Sequence, residues 1–131
     1  FAYKNLRLSA QTIAAGQPIQ AHVDVTNTGN VAGDEVVQLY ISDTAASSPV
    51  PTRDLAGFAR VHLAAGETHT VAFTITPRQM SLIDDRGRRV VEPGEFALSA
   101  GGRQPRRGET KDSSDLVFGR FTATGQTTPV E

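Results

Sequence analysis

The stretch EVVQLYISDTAASSPVPTRDLAGFARVHLAAG, from Glu35 to Gly66, decides the fold of this chain. In its first part, the apolar residues Val37, Leu39 and Ile41 occupy every second position, and this period of two predicts a β-strand. A loop rich in Pro and Ser follows at 43–54, because proline blocks regular strand pairing. A second strand then runs up to the turn at Gly66.

The same alternation recurs along the chain, with turn signals between the apolar segments. Strands are predicted from the first residues to Leu8, over 19–26, over 71–75, around Val90, over 96–100 and from Leu116 onward. The segment 84–87 predicts a hairpin turn, and residues 78–83 predict one helical turn that covers an end of the core. The pattern therefore predicts an all-β antiparallel β-sandwich.

One domain is expected, because 131 residues suffice for a single core. We expect the sandwich over residues 1–122, with 101–114 as an exposed loop or insertion and 123–131 as a flexible polar tail. The net charge of −1 gives no electrostatic case for a nucleic-acid or membrane partner. The absence of cysteine excludes disulfides, thiolate metal sites and cysteine nucleophiles.

The polar residues do not suggest a reaction centre in this chain. A glycosidase needs two carboxyls held about 5–5.5 Å apart for retention or about 6.5–9.5 Å apart for inversion. The adjacent pairs Asp34-Glu35 and Asp84-Asp85 do not suit this, because strand neighbours point to opposite faces and turn residues are solvated. The histidines His22, His62 and His69 lack the spacing of a metal site. No catalytic residue, metal site or cofactor is predicted here.

Two alternatives to an enzyme stay open at this point: a carbohydrate-binding module and a structural or adhesion module. A sugar-binding surface commonly uses flat aromatic platforms, and this chain has no Trp, two Tyr and six Phe. Phe73, Phe96 and Phe118 alternate with polar residues as core positions do. Tyr3, Tyr40 and Phe58 remain as the aromatic residues expected to be exposed.

Several motifs, in order, closely resemble the fibronectin type III-like domain that closes glycoside hydrolase family 3 enzymes at their C-terminus. The motifs are Val25-Thr26-Asn27-Thr28-Gly29, then Ala32-Gly33 with Glu35-Val36-Val37-Gln38-Leu39-Tyr40, then Leu55 with Gly57-Phe58 and Arg60-Val61, then Gly66-Glu67, then Val91-Glu92-Pro93-Gly94 with Phe96. The chain departs from the family at Pro51-Thr52-Arg53, where Arg-Pro is frequent. The segment Gly101-Gly102-Arg103-Gln104-Pro105 looks more like the β-xylosidase branch than the β-glucosidase branch.

This resemblance implies an immunoglobulin-like sandwich that is not itself catalytic. The parent protein implied is a retaining exo-β-glycosidase, a β-xylosidase or β-glucosidase of carbohydrate metabolism, whose nucleophile and acid/base lie in other domains. Those catalytic domains are the implied partners, and a periplasmic or secreted parent is expected.

A patch for contact with those domains is predicted from the residues around the proline-rich loop. Tyr40 lies on the parity opposite to Val37 and Leu39, and the apolar residues after the loop need cover. The predicted interdomain patch consists of Tyr40, Pro49, Val50, Pro51, Leu55 and Phe58. An exposed patch of this kind in the isolated chain would also favour self-association.

Overall fold

The computed structural model describes residues 1–44, 53–106 and 108–130, and these form a two-layered β-sandwich with a small third sheet. The strands are β1 (Ala2–Leu8), β2 (Thr12–Ala14), β3 (Ile19–Thr26), β4 (Gly33–Asp43), β5 (Asp54–Leu63), β6 (Thr68–Ile75), β7 (Leu82–Ile83), β8 (Arg89–Val91), β9 (Gly94–Gly101), β10 (Leu116–Thr124) and β11 (Thr128–Pro129). A short 3-10 helix spans Arg78–Met80. Within the described part of the chain, no helix is long and apolar enough to cross a membrane.

The two main sheets divide the strands unevenly. The smaller sheet has the order β1-β3-β6, and the larger sheet has the order β2-β10-β9-β4-β5. All pairings in these sheets are antiparallel except β10 with β2, which is parallel. Strands β11, β8 and β7 form the third sheet. The all-β sandwich predicted from the sequence is thereby confirmed.

The hydrophobic core lies between the two main sheets and follows the predicted alternation. Strand β3 buries every second residue, beginning with Ile19, while the residues between them stay partly or fully exposed. Strands β4, β9 and β10 face it with fully buried side chains that include Leu39 and Leu98. Phe96 and Phe121 stack across the β9–β10 pair with ring centroids 5.1 Å apart. Aromatic pairs at this separation stabilise a core beyond the area they bury.

The predicted hairpin turn at 84–87 connects β7 to β8. The Asp84 carboxylate accepts hydrogen bonds from the backbone N–H groups of Arg86 and Arg88, at 3.0 and 2.9 Å. These bonds, led by the one from the Arg88 backbone, lower the pKa of the Asp84 carboxyl. Gly87 takes a φ of 76°, which glycine adopts without strain. The predicted helical turn also forms, and it buries Met80.

The first strand corrects one expectation, because Tyr3 is buried rather than exposed. Its side chain is 4% exposed, and its hydroxyl donates a hydrogen bond to Glu35 Oε2 at 2.8 Å. Burial is the main cause of a raised pKa of the Tyr3 hydroxyl, and the neighbouring carboxylate raises it further. Tyr3 therefore ties β1 to the start of β4, on a different sheet.

Phe118 corrects a second expectation. In β10 the residues that face the core include Val117, Phe121 and Ala123. Phe118 has the opposite parity, so its half-buried ring lies on the outer face of the larger sheet, beside Ser99. The apolar ring of Phe118 suggested a core position. Because Phe121, three residues further along the strand, is buried in the core, Phe118 lies on the opposite, outer face.

The end of the chain also differs from the expected flexible polar tail. Strand β10 continues to Thr124, and β11 pairs with β8 through Thr128↔Val91 and Pro129↔Val90. The Val130 N–H donates a further bond to the Arg89 carbonyl at 3.0 Å. Two backbone pairings therefore order a segment whose polar side chains suggested no structure.

Phe73 faces the core as expected from its parity, but it is only partly buried. It lies on β6, at the edge of the smaller sheet, and its ring packs against Gly57 on β5, at the edge of the larger sheet. A Cβ atom added at Gly57 would lie 2.9 Å from Phe73 Cδ1, which is too close for a real contact. The glycine thus allows the ring to close the sandwich where the two edge strands meet.

We predict that Phe73→Ala lowers the free energy of unfolding by about 2 kcal/mol, below the 3–5 kcal/mol typical of a fully buried phenylalanine. The melting temperature should fall by roughly 6–10 °C. Gly57→Ala should be destabilising in the natural chain and nearly neutral in the Phe73→Ala background, because the clash disappears with the ring. Thermal unfolding of the four proteins of this double-mutant cycle measures both effects. Additive effects of the two substitutions would show that ring and glycine do not meet.

Candidate docking surface

The outer face of the larger sheet carries a continuous row of side chains across four strands. Leu55 of β5 pairs with Tyr40 of β4, Tyr40 pairs with Ser99 of β9, and Ser99 pairs with Phe118 of β10. Residues paired in this way project on the same side of a sheet. The row therefore brings together three large apolar or aromatic side chains around one serine.

A β-bulge places Leu55 and Phe58 on the same face. Their separation of three residues would put them on opposite faces of a regular strand. The pairing of β4 with β5 shifts between Leu39 and Tyr40, so that Leu39 faces Gly57 while Tyr40 faces Leu55. A bulge adds one residue to a strand and so resets the side-chain alternation beyond it.

The apolar residues of β5 are the most exposed part of this face. Phe58 is 70% exposed and Leu55 is 51% exposed, and Val36 on the neighbouring strand is 40% exposed. Val36 pairs with Arg60, and Phe58 pairs with Gln38 at the next pair on the same face. These three side chains form a patch that has no cover within the described residues.

The structure brings together three members of the predicted interdomain patch, namely Tyr40, Leu55 and Phe58. The other three, Pro49, Val50 and Pro51, lie outside the described residues. Val36 and Phe118 also lie beside these residues, although the sequence pattern did not predict them as neighbours of the patch. The exposed parity of Val36 was the available signal, whereas the position of Phe118 depends on pairing between distant strands.

A polar cluster borders the patch on the same face. Asp34 accepts hydrogen bonds from Arg60 Nη2 at 2.9 Å, and its other oxygen lies 2.5 Å from His62 Nδ1. The His62 contact is the main cause of a lowered pKa of the Asp34 carboxyl, and the bonds from Arg60 lower it further. All three side chains are largely exposed. The cluster is thus a solvated rim beside Phe58.

At the other side of the face, the segment after β9 folds back over the sheet. Arg103 donates hydrogen bonds to both carboxylate oxygens of Glu109, at 2.8 and 2.9 Å, and to Asp115 at 3.0 Å. The Arg103 guanidinium is the main cause that lowers the pKa of the Glu109 carboxyl to about 2. Leu116, at the start of β10, is fully buried. The described residues of 101–114, the segment expected as an exposed loop or insertion, are mostly exposed, and the ion pairs of Arg103 with Glu109 and Asp115 hold them together.

Between these two borders, a cleft of about 180 Å³ opens over Ser99. Tyr40 and Phe118 line it from the neighbouring strands, and Arg53, Arg120 and Thr110 are among its other lining residues.

The carboxyl pairs considered in the sequence do not form a catalytic pair. Glu35 accepts the bond from Tyr3, while Asp34 binds Arg60 and His62 on the outer face. Asp84 holds the backbone of its own turn. Across the described ranges, no group of three or more histidine or carboxylate side chains is arranged to hold a metal ion.

The chain is similar to one part of several larger enzymes. The family model described as "Fibronectin type III-like domain" matches residues 35–104. The chain is 42% identical to a β-xylosidase of Formosa agariphila over 101 residues, which is 77% of this chain and 14% of that protein. It is 42% identical to the β-glucosidase BoGH3A of Bacteroides ovatus over 97 residues, or 73% of this chain and 13% of that protein.

A solved structure gives the same result. The chain superimposes on the β-glucosidase EmGH1 of Erythrobacter marinus with a TM-score of 0.79 and 34% identity, covering 93% of this chain and 15% of that one. The chain thus spans about one seventh of the length of the relatives it matches. It belongs to the fibronectin type III-like domain family, in the form that occurs within family 3 β-xylosidases and β-glucosidases.

Proposed function

We propose that this chain is a non-catalytic domain of a family 3 exo-β-glycosidase, and that it stabilises the parent enzyme by packing on its catalytic domains. The parent would hydrolyse terminal β-linked xylose or glucose with retention, using residues outside this chain. The observation that carries the proposal is the exposed apolar patch of Leu55 and Phe58 on the edge strand β5 and Val36 on the neighbouring β4. Such patches mark interaction sites, because soluble proteins rarely leave large ones uncovered.

The small share of each relative that the chain covers supports the choice of partner. About six sevenths of the matched β-xylosidase lies outside the aligned region, so a large protein surface would be present beside the module. Interfaces commonly have an apolar centre and a polar rim. Phe58 with Leu55 would be the centre, and the Asp34–Arg60–His62 cluster would be part of the rim.

A carbohydrate-binding role has less support. The burial of Tyr3 removes one of the three aromatic residues expected at the surface. The cleft beside Tyr40, at about 180 Å³, is smaller than the roughly 300–1,000 Å³ usual for small-molecule sites. Phe58 and Tyr40 do not form a flat platform of aligned rings for an oligosaccharide. Their pairing partners on the sheet are the non-aromatic residues Gln38 and Leu55, respectively.

The chain alone is expected to hydrolyse no glycoside, because Asp34, Glu35 and Asp84 are held by other groups. The neighbours Asp34 and Glu35 also lie on opposite faces of β4. Purified protein should leave nitrophenyl β-xyloside and nitrophenyl β-glucoside intact over prolonged incubation. Glu35→Gln and Asp34→Asn variants serve as controls for contaminating enzyme. Turnover that persists through several columns and is abolished by either substitution would contradict the proposal.

Phe58→Ser is expected to lower the thermal stability of the parent enzyme far more than that of the isolated chain. Loss of an aromatic anchor from an interface costs about 2 kcal/mol or more, whereas a surface substitution in a free domain changes stability by about 0.5 kcal/mol or less. Val31→Ser is the matched control, because Val31 is 76% exposed in the turn before β4 and lies outside the patch. Thermal unfolding of the chain and of the parent, each with both variants, measures the difference.

Hydrogen exchange gives an independent measure of the same contact. Amides of β5 should exchange more slowly in the parent than in the isolated chain, since docking covers that strand. Equal exchange over 53–63 in the two proteins, together with equal effects of Phe58→Ser and Val31→Ser, would overturn the docking proposal.

A further inference from the structure

Strand β5 ends the larger sheet, and among the described strands it pairs with β4 alone. The Thr44 N–H donates to the Glu95 carbonyl at 3.2 Å, which continues the β4–β9 ladder, so the even-numbered residues of β4 bond to β9. The odd-numbered residues of β4 therefore bond to β5, where they face positions 57, 59, 61 and 63. The N–H and C=O groups of Phe58, Arg60 and His62 consequently point away from the sheet.

These outward backbone groups form a free edge over residues 58–62. Gln79, in the 3-10 helix, donates a hydrogen bond to the outward carbonyl of Ala56, just before this run begins. The outward groups of Phe58, Arg60 and His62 have no hydrogen-bond partner among the described residues. A row of unpaired N–H and C=O groups on an edge strand is a template for pairing with another strand.

Two other sheet ends have the usual protection of an edge. Strand β2 has three residues, and the register of β1 shifts between Lys4 and Arg7, where Asn5 takes a φ of 58°. Short strands and bulges are ways in which proteins prevent pairing at an edge. The free edge of β5 belongs to a strand of ten residues and keeps a regular register over 58–62. It is therefore open to pairing.

The hydrophobic core is incompletely covered along the same edge. Ala59 and Val61 of β5 and Phe73 of β6 pack against the core, yet each remains partly exposed. Val37, the partner of Ala59 on β4, is fully buried. Side chains of a strand alternate between its two faces, so a strand added beside β5 would place every second side chain over these core residues. The remaining side chains would lie beside Phe58 on the outer face.

A second copy of this chain fits the free edge poorly. A two-fold pairing of β5 with β5 of another copy, centred on the free edge, would set Arg60 opposite its counterpart, and like charges directly opposite are destabilising. A pairing centred on Phe58 would involve Ala56, whose carbonyl is already bound by Gln79. A segment from the rest of the parent meets neither obstacle.

We propose that the free edge of β5 receives an extended segment of the parent's catalytic domains, which pairs with the backbone of Phe58, Arg60 and His62 as a sixth strand of the larger sheet. Main-chain hydrogen bonds give affinity in this mode of recognition, and alternate side chains give specificity. The segment has no proline over the paired run, and its apolar side chains cover Val61 and Phe73 on one face and Phe58 on the other. This inference rests on the proposed docking function and specifies how the contact at β5 is made.

Residue-resolved hydrogen exchange of the natural proteins tests the pairing. In the isolated chain, the outward amides of Phe58, Arg60 and His62 should exchange fast, whereas β4 protects the inward amides of Ala59 and Val61. In the parent, the outward amides should exchange about tenfold more slowly or less, because each gains an acceptor. Contact through side chains alone supplies no acceptor and would leave this alternation in place.

Arg60→Pro tests the backbone group directly. Proline removes the outward N–H and so blocks the added segment, without removing a bond to β4. Arg60→Ala is the matched control, because it removes the same side chain and its ion pair with Asp34 but keeps the N–H. In the parent, Arg60→Pro should return the Phe58 and His62 amides to the exchange rates of the isolated chain, whereas Arg60→Ala should leave them slow. If Arg60→Pro unfolds the isolated chain, the exchange of the natural proteins decides.

The outcomes separate strand addition from docking itself. Fast exchange of all three outward amides in the parent would overturn strand addition, and docking would stand if Phe58→Ser still lowered the thermal stability of the parent selectively. Equal exchange in the Arg60→Pro and Arg60→Ala parents, both folded, would also overturn it. Slow exchange of these amides in the isolated chain would overturn it as well. Slow exchange that depends on protein concentration would assign the edge to a second copy, and slow exchange that does not would show that the chain covers its own edge.

Discussion

The register of β4 is the constraint on which both faces of the larger sheet depend. Val37, Leu39 and Ile41 are buried in the core between the two main sheets, and this fixes every second residue of β4 on the outside. A slip of one residue would exchange the two faces and expose the core residues to water. Because β4 pairs with β5 on one side and with β9 on the other, residues opposite its outward-facing positions also face outward. The positions of Tyr40, Phe58 and Ser99 follow from that burial.

Two local features shape the outer face and the edge of this regular sheet. The bulge in β5 places Leu55 and Phe58 on one face, where simple alternation would separate them. Gly57, next to the bulge, provides the space into which Phe73 packs from the other sheet. The outer patch and the closure of the sandwich edge are therefore built from the same four residues of β5. A change that regularised this strand would affect packing and surface together.

The sequence was sufficient for the strands and turns that rest on local pattern. Alternation from Ile19 predicted β3, and the Asp84–Gly87 segment predicted the β7–β8 hairpin, because the physical causes lie within a few residues. Tyr3 and Phe118 were misplaced because their environments depend on partners far along the chain, namely Glu35 and Ser99. The β11 pairing was missed since backbone hydrogen bonds leave little trace in side-chain character. For the surface, parity identified Tyr40, but the row that joins it to Phe118 required the strand order.

The inner and outer faces of the larger sheet differ in the kinds of side chain they hold and in how these are covered. The inner face is closed by apolar packing within the described residues, including the Phe96–Phe121 stack. The outer face holds exposed apolar side chains, one buried hydroxyl and ion pairs such as Arg60–Asp34 and Arg120–Glu95 that are open to solvent. Exposed ion pairs contribute little to stability, so they can exchange partners at small cost when another surface approaches. The exposed apolar side chains and solvated ion pairs of the outer face thus have more to gain from contact than the closed core has, so in the docking proposed above the domain would fold first and dock afterwards.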